Sequence, residues 1–254
     1  MKKFFQFPGA AVLTLVFLLP LSAQQQQNGG ISSKQADDII GELRQMKLLL
    51  QQQAALLQQL AQKGQPQPEP PPTRAKLNLD GFQMLGVKTA PLTMVEFTDY
   101  QCPFCQRFHV TSFNELKKNY IDTGKMRFYS RDLPLEFHPN AMRAAQAARC
   151  AIEQGKYWQI RDVMGANPDK LDLEHLVGFA SDLKMDTDAF RGCVTSEKYK
   201  NSVQSDVVEA MKIGANGTPT FVVGKSTPEG VDGEVMVGAM PFQMFDEKLK
   251  TLEK

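Results

Sequence analysis

Histidine and tryptophan are scarce in this chain, at three and one among 254 residues. His109, His138 and His175 fall at no metal-ligand spacing, which argues against a histidine-built metal centre. Blocks of like charge are missing too. The 29 basic and 28 acidic residues are interspersed, so a nucleic acid or another polyanion is not an expected partner. No apolar run approaches the ~20 residues that span a bilayer. Cysteine is limited to four, and only Cys102 and Cys105 are close together. A four-cysteine zinc site usually shows two close pairs, so metal ligation by thiols is disfavoured as well.

What is present begins with a leader. Lys2 and Lys3 form a positive region, "AAVLTLVFLLPL" an apolar one, and Pro20 breaks it before "LSAQ". This is the layout of a secretory signal peptide over residues 1–23, cut after Ala23, although Leu21 is bulky for the third position before the cut. Export to the periplasm or another extracytoplasmic space follows from it. There disulfides persist and thiols are less used for zinc.

Residues 24–73 differ in composition from the rest. Ser32 and Gln35 have the spacing of a capping box, and no proline interrupts the chain from there to Gln62. Ala36, Ile39, Leu43, Met46, Leu50, Gln53, Leu57 and Leu60 recur at alternating steps of three and four, an a/d seam. A helical stalk over 24–63 is expected, and a coiled coil through 33–62 would make the protein a homo-oligomer. A single solvated helix is the plainer alternative, and Gly41 and Gln53 weaken the seam. "GQPQPEPPP" then reads as an extended spacer over 64–73.

From about Arg74 to the C-terminus the pattern is that of one mixed α/β domain. "LTMVEF" and "MRFYSRDL" read as strands, with a helix opening at Pro103 between them. Helical stretches follow at Asn140–Gln154, ended by Gly155, then near Tyr157–Met164, Leu171–Ser181 and Ser196–Ile213. "TPTFVVG" and "EVMVGA" read as two adjoining strands before a final helix. This is a thioredoxin-like order carrying a helical insertion at about 139–213.

The chemistry concentrates at "TDYQCPFCQRFH". Two cysteines at i and i+3 around a helix N-terminus can close a short disulfide. The first-turn N–H groups and the helix dipole stabilise a thiolate on the first. Cys102 is the candidate nucleophile, Cys105 the resolving thiol, and Pro103 and Phe104 are placed to tune them. In the strand before the pair, Glu96 shares an apolar face with Leu92 and Met94. A buried carboxylate without a partner has a raised pKa, which would suit a proton acceptor for Cys105. Far downstream, Thr218 and Pro219 open a strand, where a cis X–Pro bond would explain the proline. His109 and His138 read as a helix-surface residue and a shaper of a helix start.

"VEFTDYQCPFCQRFH", "RDLPLEFHPNA", "AARCAIEQGKYW", "FRGC" and "GTPTFVVG" together resemble the DsbA-like thiol:disulfide oxidoreductases of the thioredoxin superfamily, from about Leu77 to the C-terminus. The resemblance implies that Cys102 and Cys105 are the redox couple, Glu96 the buried acid, and Thr218–Pro219 the cis-proline loop. It implies cysteine-containing exported proteins as substrates, a membrane redox partner that resets the site, and no cofactor. One position departs: several strongly oxidising members carry histidine where this chain has Phe104, which has no donor for the thiolate.

If Cys102 pairs with Cys105, then Cys150 and Cys193 either pair with each other or stay as buried thiols; pairing is the expectation in an exported chain. The functional expectation is an exported oxidase of protein thiols. The alternatives are an oligomeric disulfide isomerase or reductase, and a thiol-based chaperone or copper-binding protein. The stalk separates these readings. By light scattering, a chain starting after Ala23 is expected to associate at micromolar concentration, and one starting near Arg74 to be monomeric. Two monomers would remove the coiled coil.

Overall fold

The computed structural model describes residues 32–64 and 72–254, so the expected signal peptide and most of the proline-rich spacer lie outside the described residues. Two compact units result. The first is a helix, α1 (Ser33–Gly64). Its start is the expected capping box: the Ser32 N–H donates to Gln35 Oε1 (3.1 Å), and the Gln35 N–H donates to Ser32 Oγ (3.3 Å). Ile39, Leu43, Met46, Leu50 and Leu57 of the apolar seam are exposed within this one chain. Among the described residues no helix is long and apolar enough to cross a membrane.

The second unit is a mixed sheet wrapped by helices. Its strands are β1 (Arg74–Asn78), β2 (Met84–Leu85), β3 (Leu92–Thr98), β4 (Met126–Asp132), β5 (Thr220–Ser226) and β6 (Gly230–Val237), in the order β1-β6-β5-β3-β4-β2. Among the described strands only β3–β4 is a parallel pair, with Glu96 opposite Ser130; the other pairings are antiparallel. The parallel pair needs a crossover, and the segment carrying the cysteines supplies it. It runs through α2 (Pro103–Phe108), a π-helical turn (His109–Phe113), α3 (Asn114–Leu116) and a second π-helical turn (Lys117–Ile121).

Between β4 and β5 come α4 (Ala141–Ile152), α5 (Tyr157–Ala166), α6 (Leu173–Asp182), α7 (Thr187–Thr195) and α8 (Lys200–Lys212); α9 (Phe242–Leu252) closes the chain. The alanine-rich α4 lets its neighbours approach closely, and Ala144, Ala147, Ala148 and Ala151 are fully buried against Ile160, Leu176 and Phe190. On one face of the sheet Leu92, Met94 and Phe221 pack under Phe108, Leu116 and Phe245; on the other Val95, Phe97 and Val222 meet Val207 and Ala210. Burying each such phenyl ring contributes about 2 kcal/mol.

One expected boundary needs correction, and three elements lie where the sequence pattern gave none. The short strands β1 and β2 were not legible, because only their pairing with β6 and β4 distinguishes them from loop. "FRGC" sits in α7, a helix whose start is capped by Asp186, whose side chain accepts from the Ala189 N–H (2.9 Å). The expected helix from Ser196 begins only at Lys200, because Glu197 takes a left-handed backbone (φ 54°) and breaks the chain between α7 and α8.

Cys150 on α4 and Cys193 on α7 form a disulfide, with Cα atoms 5.9 Å apart and a sequence separation of 43. A closed loop of this length stabilises by about 4 kcal/mol in the chain-entropy description. Replacing both residues by alanine is therefore expected to lower the urea midpoint by an amount equivalent to about 4 kcal/mol. An unchanged midpoint would show that the link constrains nothing in the unfolded chain.

Candidate active site

All seven residues of β3 are buried, and the chain leaves the C-terminal end of this interior strand to place Asp99 and Cys102. Asp99 organises the turn that follows. Its Oδ1 accepts from the Gln101 N–H (2.7 Å), and its Oδ2 accepts from the Leu135 N–H (2.9 Å) and lies 2.7 Å from His138 Nδ1. His138 thus ties the loop after β4 to the turn before the cysteines, a contact absent from the expectation that it shapes a helix start.

Cys102 is the N-cap of α2, in an extended conformation (φ −76°, ψ 122°), and Pro103 opens the helix. The neighbouring Cys105 thiol is the largest influence favouring a negative charge on the Cys102 sulfur. Burial opposes ionisation, but Thr218 and the N–H groups of Cys105 and Phe104 add to the first effect, and the Cys102 pKa falls to about 5. Cys105 is pushed the other way, well above the ordinary thiol range, by burial, by its role as donor to Cys102 and by the charge on Glu96. Accessibility does not separate the two: Cys102 is 3% exposed and Cys105 2%. What distinguishes the sulfurs is the set of groups around each: hydrogen-bond donors converge on Cys102, while Cys105 lies deeper and nearer the Glu96 charge. Phe104 projects to solvent, half exposed, with the Arg107 guanidinium 5.1 Å from its ring centre.

The Thr218–Pro219 peptide bond is cis and lies against the pair. Cys102 Sγ is 3.5 Å from the Thr218 carbonyl oxygen, which accepts from the thiol. The buried Thr218 hydroxyl has no partner among the described residues, leaving its proton free for the thiolate.

Glu96 departs from its expectation. It is fully buried, and burial alone would raise its pKa, but His109 and Arg161 outweigh the burial and hold it below the ordinary value. Arg161 Nη2 donates to Glu96 Oε2 at 2.5 Å, and His109 Nε2 lies 3.2 Å from the same oxygen. Arg161 Nη2 also lies 2.8 Å from His109 Nε2, a contact that needs the lone pair of a neutral ring. Consistent with this, burial and the Arg161 charge lower the His109 pKa. His109 is thus no surface residue. It stands four positions after Cys105, one turn deeper on the same helical face, directly over Glu96.

Arg161 carries no signal in the sequence beyond being the basic residue of a helical stretch. It comes from α5, is 2% exposed at its side chain, and packs about 5.3–5.4 Å from the ring centres of Phe113, Phe128 and Trp158. The structure therefore brings together Glu96, Cys102, Pro103, Phe104, Cys105, Thr218 and Pro219, and adds His109 and Arg161. Cys150 and Cys193 belong to the helical insertion instead. Among the described residues no three His, Cys, Asp or Glu side chains gather as a metal site would require.

Residues 80–234 match the model of a family described as thioredoxin. Among curated sequences, the Na(+)/H(+) antiporter NhaA 3 of Salinispora tropica is 34% identical over 145 residues, which are 57% of this chain and 22% of that protein. The Na(+)/H(+) antiporter NhaA of Herminiimonas arsenicoxydans is 34% identical over 139 residues, 54% of this chain and 21% of that protein. The matched part is thus about a fifth of the length of these relatives. Among solved structures, Wolbachia pipientis alpha-DsbA1 superposes with a TM-score of 0.63 at 26% identity, covering 69% of this chain and 92% of its own. Bacillus subtilis BdbD does so with 0.64 at 22% identity, covering 73% and 100%. The chain belongs to the thioredoxin family and has the DsbA-like form of its fold.

Proposed function

We propose that this chain is an exported thiol:disulfide oxidoreductase that transfers its Cys102–Cys105 disulfide to protein cysteines. The observation that carries the reading is the placement of Cys102 at the N-terminus of α2 against the cis Thr218–Pro219 loop, with Cys105 one turn inside; this drives the two thiols apart, Cys102 down to about 5 and Cys105 well up. A thiolate held this low stabilises the reduced pair, which makes the disulfide a good oxidant and Cys102 a good leaving group. The Phe104 ring offers no hydrogen bond, so in this chain the stabilisation rests on Cys105, Thr218 and the N–H groups of the helix N-terminus.

In the reaction a substrate thiolate attacks Cys102 Sγ and the Cys102–Cys105 bond breaks, with Cys105 leaving and taking up a proton. A second substrate thiolate then attacks the substrate sulfur of the mixed disulfide and releases Cys102 as thiolate. Two substrate thiols are oxidised and the protein disulfide is reduced. A membrane redox partner restores the disulfide. The leader-like N-terminus supports an extracytoplasmic site of action, with exported cysteine-containing proteins as substrates. The exposed apolar seam of α1 favours one second reading, an oligomeric isomerase in which several sites act on one substrate.

A Cys105→Ser variant is expected to accumulate mixed disulfides with exported proteins, visible on non-reducing gels, and Cys102→Ser none. Equal trapping by both would overturn the assignment. A second expectation concerns pH. The Cys102 pKa lies below its ordinary value of 9. Its contribution to the stability of the reduced protein is therefore fully present above pH 9 and lost as pH falls through about 5. Urea midpoints of the reduced protein, measured relative to Cys102→Ser, should fall across that window, and alkylation of Cys102 should be half-maximal near pH 5. A midpoint difference flat from pH 9 to 5 would contradict the thiolate.

A further inference from the structure

Four carboxylates are buried among the described residues: Glu96, Asp99, Asp132 and Asp206. Glu96 pairs with Arg161, and Asp132 and Asp206 pair with Arg149. Asp99, with a side chain 0% exposed, is held by His138 instead. It opens the short turn Asp99–Gln101 between the end of β3 and Cys102. How that turn is held decides where the Cys102 sulfur sits over the first turn of α2.

Inside the turn, the Cys102 N–H donates to the Asp99 carbonyl oxygen (3.1 Å) and the Gln101 N–H to Asp99 Oδ1 (2.7 Å). From outside, the loop after β4 is pinned to the turn and the strand end. The Leu133 N–H donates to the Thr98 carbonyl oxygen (2.8 Å), and the Leu135 N–H to Asp99 Oδ2 (2.9 Å). His138 Nδ1 lies 2.7 Å from the same oxygen, and the Asn140 N–H donates to Gln101 Oε1 (2.9 Å). The loop has little packing of its own. Glu136 and Phe137 are exposed, and an open cavity of about 520 Å³, lined by Leu135, His138, Val207 and Met211, lies between the loop and α8. Directional bonds, more than apolar contact, therefore fix loop and turn to each other.

We propose that His138 is a positioning residue for the nucleophile: its bond to Asp99 holds the turn so that Cys102 Sγ stays over the N–H groups of α2 and against the Thr218 carbonyl. The inference deepens the thiol–disulfide reading and rests on it. With Nδ1 carrying the hydrogen, the His138 ring is a donor to Asp99 alongside the Gln101 and Leu135 N–H groups. A buried carboxylate deprived of a donor is costly, so it turns toward other donors or water, and the segment it organises moves with it. Hydrogen bonds weaken steeply as their angle closes, so a small shift of Cys102 loosens those it receives from the Cys105 and Phe104 N–H groups. The Phe104 ring has no donor that could make up the loss. The thiolate is then less stable, and the disulfide becomes a weaker oxidant.

Two readouts on the full chain test this: the pH midpoint of Cys102 alkylation in the reduced protein, and the thiol–disulfide equilibrium with glutathione at pH 7. In His138→Ala the midpoint is expected to rise from about 5 by about one pH unit. The equilibrium should move about tenfold toward the disulfide, since one unit of pKa is a factor of ten. His138→Asn, whose amide N–H stands where Nδ1 does, should restore both values; His138→Gln, whose amide stands for Nε2, should not. A general loss of stability would not tell the two amides apart. If His138→Ala does not fold, Gln101→Met takes its place: it removes the acceptor of the Asn140 N–H and should raise the midpoint in the same direction. Wild-type values in His138→Ala, or in Gln101→Met where it stands in, would overturn the proposal, and so would an asparagine variant no closer to wild type than the glutamine one. A wild-type midpoint near the ordinary thiol value of 9 would sink the thiolate reading of Cys102, and the role of His138 with it.

Discussion

The ion pair between Glu96 and Arg161 joins the two halves of the catalytic unit. Glu96 stands on the central strand and is fully buried; Arg161 comes from the helical insertion and is buried among three aromatic rings. A carboxylate alone in that position would cost several kcal/mol or take up a proton. Removing either partner of such a pair typically costs about 3–5 kcal/mol, because the other is left charged and unpaired. The insertion is thus bound to the sheet at the point where the redox chemistry is set. Glu96 remains an anion, and its charge is one of the forces holding Cys105 protonated.

A second buried ionic cluster fastens the other side of the insertion. Arg131 on β4 donates to Asp206 on α8 through Nε (3.0 Å) and Nη2 (2.5 Å), and Arg149 on α4 bridges Asp132 (2.6 Å) and Asp206 (2.5 Å). The Asp132 N–H donates to Asp206 Oδ2 (3.0 Å). The directionality of these bonds limits how α4 and α8 can slide on the sheet, which apolar packing alone would not do. Packing then completes the insertion, through the small residues of α4 and the link between Cys150 and Cys193.

Electrostatic asymmetry of the thiols follows from this frame. The helix N-terminus and the Thr218 loop converge on Cys102, while Cys105 lies one turn deeper, nearer the Glu96 charge. Two sulfurs in one short motif therefore acquire opposite protonation preferences. Asp99 keeps that arrangement in register by binding the turn, the loop after β4 and His138 with one carboxylate.

Much of this was determined locally. The spacing of Cys102 and Cys105 beside Pro103 specifies a helix N-terminus, because proline suits the first turn and i, i+3 cysteines share a face. Alternation along β3 placed Glu96 on the apolar face with Leu92 and Met94, and a proline opening β5 required an unusual backbone at Thr218. The capping box at Ser32 and the alanine-rich α4 were likewise properties of a few adjacent residues. The protonation of Glu96 was not local. Sequence reasoning gave it a raised pKa because it could not supply Arg161, which lies 65 positions away on another element. The depth of His109 depended on the same docking: four positions after Cys105 is the same face of a helix, but whether that face meets solvent or a carboxylate is decided by what packs against it. β1, β2 and α7 escaped notice for a related reason, since two of them exist only through their partners and the third is short. Periodicity, capping and spacing reside in neighbouring residues; counter-charges and strand partners are chosen by the fold.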